Sequence, residues 1–138
     1  MPQSVRFSYE LDANTGLYSF PIVPMSLFNY DRSVVVNGLV DSGSMVNVLP
    51  YSIGVALGAK WDEQPLLERL GGNLSSAEVR ALRLQGYNAQ LIADKTFPLV
   101  FAWADTDNTR LIFGQMNFFH QFAICFFRAD NYFEITHR

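Results

Sequence analysis

The sequence has one cysteine and no long apolar run, and each of these shortages excludes a class of protein. Because Cys125 is alone, no disulfide forms within the chain and no cysteine-rich metal site is possible. No stretch approaches the roughly eighteen apolar residues of a membrane-spanning helix, and residues 1–10 hold no apolar run of signal-peptide length. We therefore expect a soluble, cytoplasmic protein that needs no cofactor.

Charged and metal-binding residues are also sparse. The ten Lys and Arg residues are scattered and the formal net charge is -3, so nucleic acid is not an expected partner. His120 and His137 lie too far apart for a metal pair at helical spacing. The run from Asp105 to Asn108 lacks the glycine and closing glutamate of a calcium loop. We expect no metal site.

Apolar and aromatic residues are abundant. They make up 49% and 14% of the 138 residues, which is the composition of a folded domain long enough to bury one core. Short apolar runs separated by turn residues predict a mainly all-β fold, a small closed barrel or folded-over sheet with one or two short helices. We expect residues 1–19 to form an N-terminal arm or edge hairpin and residues 20–138 to form the domain.

The element boundaries follow from the same pattern. We predict an edge strand at 20–28, because Pro21 and Pro24 lack amide hydrogens, and a returning strand at 33–40 with a bulge or bend at Asn37-Gly38. A short helix is predicted at 51–57, ended by Gly58. Further strands are predicted at 91–92, 97–103, 109–113 and 123–127, and a helical turn at 117–121. Cys125, within a Phe-rich strand, is predicted to be buried and inert.

The tetrapeptide Asp41-Ser42-Gly43-Ser44 is the main candidate for chemistry. It directly follows the predicted strand 33–40, so a rigid element presents a carboxylate, hydroxyls flank it and a glycine lets the backbone approach. Alone it is a weak signal, because Asp, Ser and Gly are common turn residues. Its flanks make it specific: an apolar run at 46–50 follows, and Leu111-Ile112-Phe113-Gly114 is a later strand that ends in glycine.

Together with the Phe-rich segments at 117–119 and 122–127, these features resemble the single-domain, retroviral-type (retropepsin-like) aspartic proteases and their bacterial relatives. The resemblance spans roughly residues 20–135. It implies an all-β half-barrel that works as an obligate two-fold dimer on an extended peptide or protein substrate. It assigns catalysis to Asp41, active-site support to Ser42, Gly43, Ser44 and Gly114, and the tip of a substrate-binding flap to Gly71, Gly72 and Asn73.

The resemblance also implies a role for each supporting residue. Ser42 would bond the backbone of the partner subunit, Gly43 would donate its amide to the Asp41 carboxylate, and Ser44 would hydrogen-bond the outer carboxylate oxygen. Gly114 would pack beneath the loop. The family more often has Thr at the place of Ser42 and often Arg at the place of Gln115, so a salt bridge that supports the dimer is missing here.

A single copy of the motif carries a further implication. Hydrolysis by carboxylates needs one ionised group to take a proton from water and one protonated group to donate, and two close carboxyls share a proton in this way. One Asp-Ser-Gly per chain therefore predicts a homodimer with the site on its axis. Two alternatives stay open: a catalytically silent dimer that binds peptides or acts as a scaffold, and an unrelated small barrel in which Asp41 caps a turn.

One segment is ambiguous. Ser75 and Glu78 have the spacing of a capping box, which favours a helix at 75–84. The resemblance favours a strand there, because the chain after the Gly71-Gly72 tip would return antiparallel as the second leg of a flap. The alternative interpretation of Gly71-Gly72 is a simple loop without a flap. We predict the strand.

Overall fold

The computed structural model describes residues 3–67 and 78–138. It consists of a closed six-stranded barrel, a three-stranded sheet and a small two-stranded hairpin. The strands are β1 (Ser4–Ser8), β2 (Glu10–Leu11), β3 (Ser19–Phe20), β4 (Ile22–Asn29), β5 (Arg32–Val40), β6 (Asn47–Leu49), β7 (Val79–Tyr87), β8 (Phe97–Ala104), β9 (Ile112–Phe113), β10 (Phe122–Phe127) and β11 (Tyr132–His137). The α-helices are α1 (Tyr51–Ala56) and α2 (Phe118–Gln121), and short 3-10 turns lie at Trp61–Glu63 and Arg128–Asp130.

The barrel strands follow the order β4-β5-β9-β6-β8-β7, and β7 closes the ring against β4. The β4–β5 and β7–β8 pairs are long antiparallel hairpins. Strand β9 instead lies parallel to β5, with Leu39 opposite Ile112 and Val40 opposite Phe113. The carboxyl ends of β5 and β9 therefore meet at the same edge of the barrel, where Asp41 and Gly114 follow.

The core fills the barrel and extends beneath the three-stranded sheet. Alternate residues of β4 are buried because successive side chains of a strand point to opposite faces. Phe113 stacks on Phe118 of α2 with 4.7 Å between ring centroids, which joins the helix to the end of β9. The largest fully buried aromatic side chains are Trp103, Phe101, Phe113, Phe118, Phe122 and Phe133.

Helix α1, the α2 turn and the β4–β5 hairpin agree with the sequence prediction. The edge-strand prediction for residues 20–28 is wrong in part, because Ser26 to Phe28 pair with β7 on the side away from β5. The predicted bulge at Gly38 is also wrong. Gly38 pairs in register with Val23, and its missing side chain makes room for the Phe113 ring.

Two further predictions concern the segments on either side of β8. The strand predicted at 75–84 is present from Val79 onward, while Ser75 lies outside the described residues. Residues 91–92 form a turn instead of a strand, in which both backbone amides donate to the carbonyl of Asn88. An apolar pair this short does not distinguish a buried turn from a strand.

The first and last parts of the chain meet in the sheet β1-β11-β10, with β11 in the middle. Residues 1–19 were expected to form an arm or edge hairpin, and β1 pairs along the whole of Ser4–Ser8 with β11. Cys125 is exposed, contrary to the prediction. Its strand, β10, pairs only with β11 among the described strands, and the outer half of β10 is open to solvent.

No helix within residues 3–67 and 78–138 combines the length and the apolar character needed to cross a membrane.

Candidate active site

Asp41 stands immediately after the buried end of β5, with its side chain partly exposed. Its backbone amide donates to the carbonyl of Phe113 at 3.0 Å, which continues the β5–β9 pairing by one residue. The Gly43 amide donates to Asp41 Oδ1 at 2.9 Å, which is the hydrogen bond expected from the resemblance. A Cβ atom at Gly43 would lie 3.2 Å from that oxygen, so glycine keeps this approach open. Asp41 is therefore held by one hydrogen bond at its backbone amide and another at its carboxylate.

The two serines of the motif differ in their surroundings. The Ser44 hydroxyl donates to the carbonyl of Val46 at 2.7 Å, whereas the resemblance implied a bond to the Asp41 carboxylate. Ser42 is exposed, and its carbonyl accepts a 2.6 Å hydrogen bond from Gln115 Nε2. Gln115, which stands where the family often has Arg, thus bonds the Asp41 loop within the same chain.

Gly114 packs against the backbone beneath the loop. A Cβ atom there would overlap the carbonyl groups of Val46 and Ser44, which are backbone atoms and cannot turn aside. The next two residues continue the contact: the Gln115 amide donates to the Ser44 carbonyl at 2.9 Å and the Met116 amide to the Met45 carbonyl at 2.7 Å. Residues 114–116 therefore form a backbone support along residues 44–46.

A groove of about 320 Å³ opens beside the carboxylate. Its walls come from the carboxyl end of β5, the entry to β4, the link after β1 and the exposed half of β10. The lining residues are Tyr9, Pro21, Leu39, Val40, Asp41, Ser42 and Phe126. A groove with mostly apolar walls and one carboxylate among its lining residues suits an extended chain with apolar side chains.

Gly71, Gly72 and Asn73, which were predicted to form the tip of a flap, lie outside the described residues. The chain on either side of them runs antiparallel. The Leu67 amide donates to the Val79 carbonyl at 3.0 Å and the Ala81 amide to the Pro65 carbonyl at 2.9 Å.

Sequence reasoning missed Asn47. Its side chain is fully buried at the start of β6, and its Oδ1 accepts the amide of Gly114 at 2.8 Å. One signal was available: Asn47 is a single amide inside the apolar run 46–49, and a buried polar side chain needs hydrogen-bond partners.

This barrel, with an Asp-Ser-Gly loop at the end of β5 and a glycine at the end of the parallel β9, is a retropepsin-like fold. The chain is similar to the crystal structure of a retropepsin-like aspartic protease from Rickettsia conorii, with a TM-score of 0.65 and 11% identity, over 99% of this chain and 94% of that one. It is also similar to the EIAV protease complexed with an inhibitor, with a TM-score of 0.55 and 16% identity, over 76% of this chain and 88% of that one. No protein-family model and no curated protein matches the sequence. The two solved structures confirm the retropepsin-like fold that the resemblance implied.

Proposed function

We propose that the protein is an aspartic endopeptidase that hydrolyses peptide bonds with a water activated by two Asp41 carboxyls, one from each subunit of a homodimer. The observation that carries this proposal is the position of Asp41: it follows the end of a strand, its carboxylate accepts the Gly43 amide, and it lines a mostly apolar groove. The fold, shared with two solved aspartic proteases, supports the proposal.

The chemistry needs no metal or cofactor. The ionised Asp41 takes a proton from water, and the resulting hydroxide adds to the scissile carbonyl carbon while the protonated Asp41 donates to the carbonyl oxygen. Collapse of this tetrahedral species breaks the C–N bond: the Asp41 that took the proton from water gives it to the leaving amine, and a hydroxyl of the tetrahedral carbon returns its proton to the other Asp41. The Gly43 amide favours the ionised member of the pair by hydrogen bonding to it.

The remaining site residues have supporting roles in this proposal. Ser42, exposed beside Asp41, bonds the backbone of the partner subunit, and Ser44 and Gly114 support the loop. Gly71, Gly72 and Asn73 form the flap tip, which closes over an extended substrate and adds backbone hydrogen bonds to it.

The exposed edge of β10 suits the homodimer. Edge strands carry unpaired backbone groups, and Phe126 and Phe127 are each 39% exposed beside the exposed Cys125. Phe126 also lines the groove that contains Asp41. A second copy paired along β10 would cover these side chains and bring its own Asp41 to the same region.

The test is cleavage of an unfolded protein at mildly acid pH by the wild-type protein and by Asp41→Asn. We expect cleavage by the wild type, none by the variant, and the same dimer in both by sedimentation. Asp31→Asn is the matched control, because Asp31 is an exposed aspartate in the turn at the opposite end of the β4–β5 hairpin, and it should keep full activity. Cleavage retained by Asp41→Asn would rule out the mechanism.

One observation favours a second candidate, a catalytically silent dimer that grips extended peptides. The Ser44 hydroxyl donates to the Val46 carbonyl, so among the described residues it does not supply the bond to the outer Asp41 oxygen that the resemblance implied for an active site. Peptide binding by a wild-type dimer, with no cleavage from mildly acid to neutral pH, would establish this candidate instead.

A further inference from the structure

We propose that Asn47 is a positioning residue for Asp41 and that it acts through the backbone amide of Gly114. This inference rests on the proposed function. Asn47 does not touch the carboxylate, and its effect passes through residue 113 and the backbone support at residues 114–116.

The Asn47 side chain is fully buried and makes three hydrogen bonds, which use both of its N–H hydrogens and its oxygen. Oδ1 accepts the Gly114 amide at 2.8 Å, and Nδ2 donates to the Val100 carbonyl and to Asn117 Oδ1, both at 3.0 Å. These partners fix the orientation of the amide, because a flipped group would place its N–H hydrogens against the N–H of Gly114. Only one rotation of the side chain satisfies every partner.

Asn117 holds Asn47 in place from the other side. Its φ of 79° lies in the left-handed region, which asparagine tolerates better than most residues. Its Oδ1 also accepts the Val100 amide at 3.0 Å, and its Nδ2 donates to the Pro98 carbonyl at 3.2 Å. Both asparagines are thus bonded to β8, a long barrel strand, and the Asn47 acceptor is fixed relative to the barrel.

Both neighbours of Gly114 in the chain are hydrogen-bonded to the Asp41 loop. The carbonyl of Phe113, the residue before Gly114, accepts the Asp41 amide, while Gln115, the residue after it, bonds the carbonyls of Ser42 and Ser44. Gly114 is the centre of this three-residue segment, and its amide bonds Asn47. Without the acceptor a buried amide loses its partner, and the segment shifts to find another. A shift of about 1 Å is enough to lower catalysis by roughly 100-fold.

The test compares Asn47→Val with Asn47→Thr. The two side chains have the same shape, but only threonine has a hydroxyl oxygen that can accept the Gly114 amide. We expect Asn47→Val to lower kcat by roughly 100-fold with KM within about threefold. The kcat of Asn47→Thr should be at least about ten times that of Asn47→Val. Asn29→Ala is the matched control: Asn29 Nδ2 donates to the Leu57 carbonyl at 2.8 Å, away from the site, and kcat should not change.

A second readout does not depend on activity. By NMR, exchange of the Gly114 amide hydrogen should speed up in Asn47→Val but stay slow in Asn47→Thr, and the carboxyl carbon resonance of Asp41 should move in the valine variant alone. Equal kcat in the two folded variants, or an Asp41 resonance unchanged while the Gly114 amide exchanges fast, overturns the proposal. If the wild type cleaves nothing, the proposed function fails, and the NMR comparison still decides the role of Asn47. If the valine variant does not fold, the threonine variant decides. A folded Asn47→Thr dimer with a kcat more than about tenfold below that of the wild type overturns the proposed role of Asn47.

Discussion

The ring of Phe113 packs directly against the backbone of Gly38, in the space that any side chain at residue 38 would fill. Phe113 is fully buried and stacks on Phe118, so the ring has no room to retreat. This contact lets β9 lie close beside β5, and the pairing of those two strands carries Asp41.

We expect Gly38→Ala to destabilise the protein by about 1–3 kcal/mol, because the added methyl group overpacks the core against Phe113. Urea unfolding measures the change. Val35→Ala on the same strand is the control: Val35 is 73% exposed, and its loss should change stability by less than about 0.5 kcal/mol. Equal effects at the two positions would contradict the packing argument.

Gly54→Ala in α1 has two opposite effects on stability, one from helix propensity and one from packing. Alanine favours a helix over glycine by about 1 kcal/mol. However, a Cβ at Gly54 would overlap the indole of Trp103, whose Nε1 is bonded to the Tyr51 carbonyl at 3.0 Å. Overpacking costs about 1–3 kcal/mol, so we expect net destabilisation. Tryptophan fluorescence during urea unfolding should show a lower midpoint, and Val55→Ala, at an exposed position of the same helix, should not. A raised midpoint for Gly54→Ala would mean that the ring moves freely.

Gln115→Ala removes the 2.6 Å bond to the Ser42 carbonyl. Because Gln115 is exposed, we expect a stability change below about 1 kcal/mol. Under the proposed function the loosened loop should lower kcat by roughly tenfold. Steady-state kinetics measures this, and Gln85→Ala, an exposed glutamine on β7, is the matched control. A kcat equal to that of the control would exclude a role for Gln115.

Phe127→Lys places a charge on the exposed edge of β10. If a second copy pairs there, the lysine should weaken the dimer by at least about tenfold, since charged residues on an edge strand oppose pairing. Sedimentation over a range of concentrations gives the dissociation constant. Val35→Lys, which also replaces an exposed apolar residue of a strand, should leave the constant unchanged. As a further check, Cys125 should cross-link two subunits under oxidising conditions if the strands meet antiparallel near its position.

Asp12 gives a prediction for acid pH. The Thr15 hydroxyl, and then the Asn14 amide, hydrogen-bond its carboxylate and lower the pKa of Asp12 below its ordinary value. With the folded pKa below the unfolded one, this contribution to stability is present above the unfolded pKa and is lost as the pH falls through the folded pKa. An NMR titration should show the lowered pKa, and Thr15→Val should raise it. An unchanged pKa in that variant would show that the hydroxyl is not the main cause.

Much of the barrel followed from local pattern. The apolar runs of β4 and β5 and the Pro50 and Gly58 flanks of α1 predicted elements close to those of the structure. Strand β11 was missed, because its residues 132–137 mix apolar and polar types without a clear run and pair only with β1 and β10. Such a strand is defined by partners far away in sequence.

The candidate site was predictable in the parts that a sequence motif marks, and not in the parts that depend on packing. Asp41 and Gly114 stood out because a motif and a strand-ending glycine mark them. Cys125 was predicted buried because its neighbours are apolar, yet its burial depends on which elements lie across β10. The bond from the Ser44 hydroxyl to Val46 likewise depends on a loop conformation that residue types alone do not specify.

The hydrogen bonds between the Asp41 loop and residues 113–116 also determine when that loop can fold during synthesis. The two segments are about seventy residues apart, and the Asp41 amide, the Ser42 carbonyl and the Ser44 carbonyl all find their partners in the later one. A chain leaving the ribosome from its N-terminus can form the β4–β5 hairpin early. The loop that carries Asp41 lacks its hydrogen-bond partners until residues 113–115 have also emerged. A polypeptide halted between these points would carry Asp41 without the later segment that fixes the conformation of its loop.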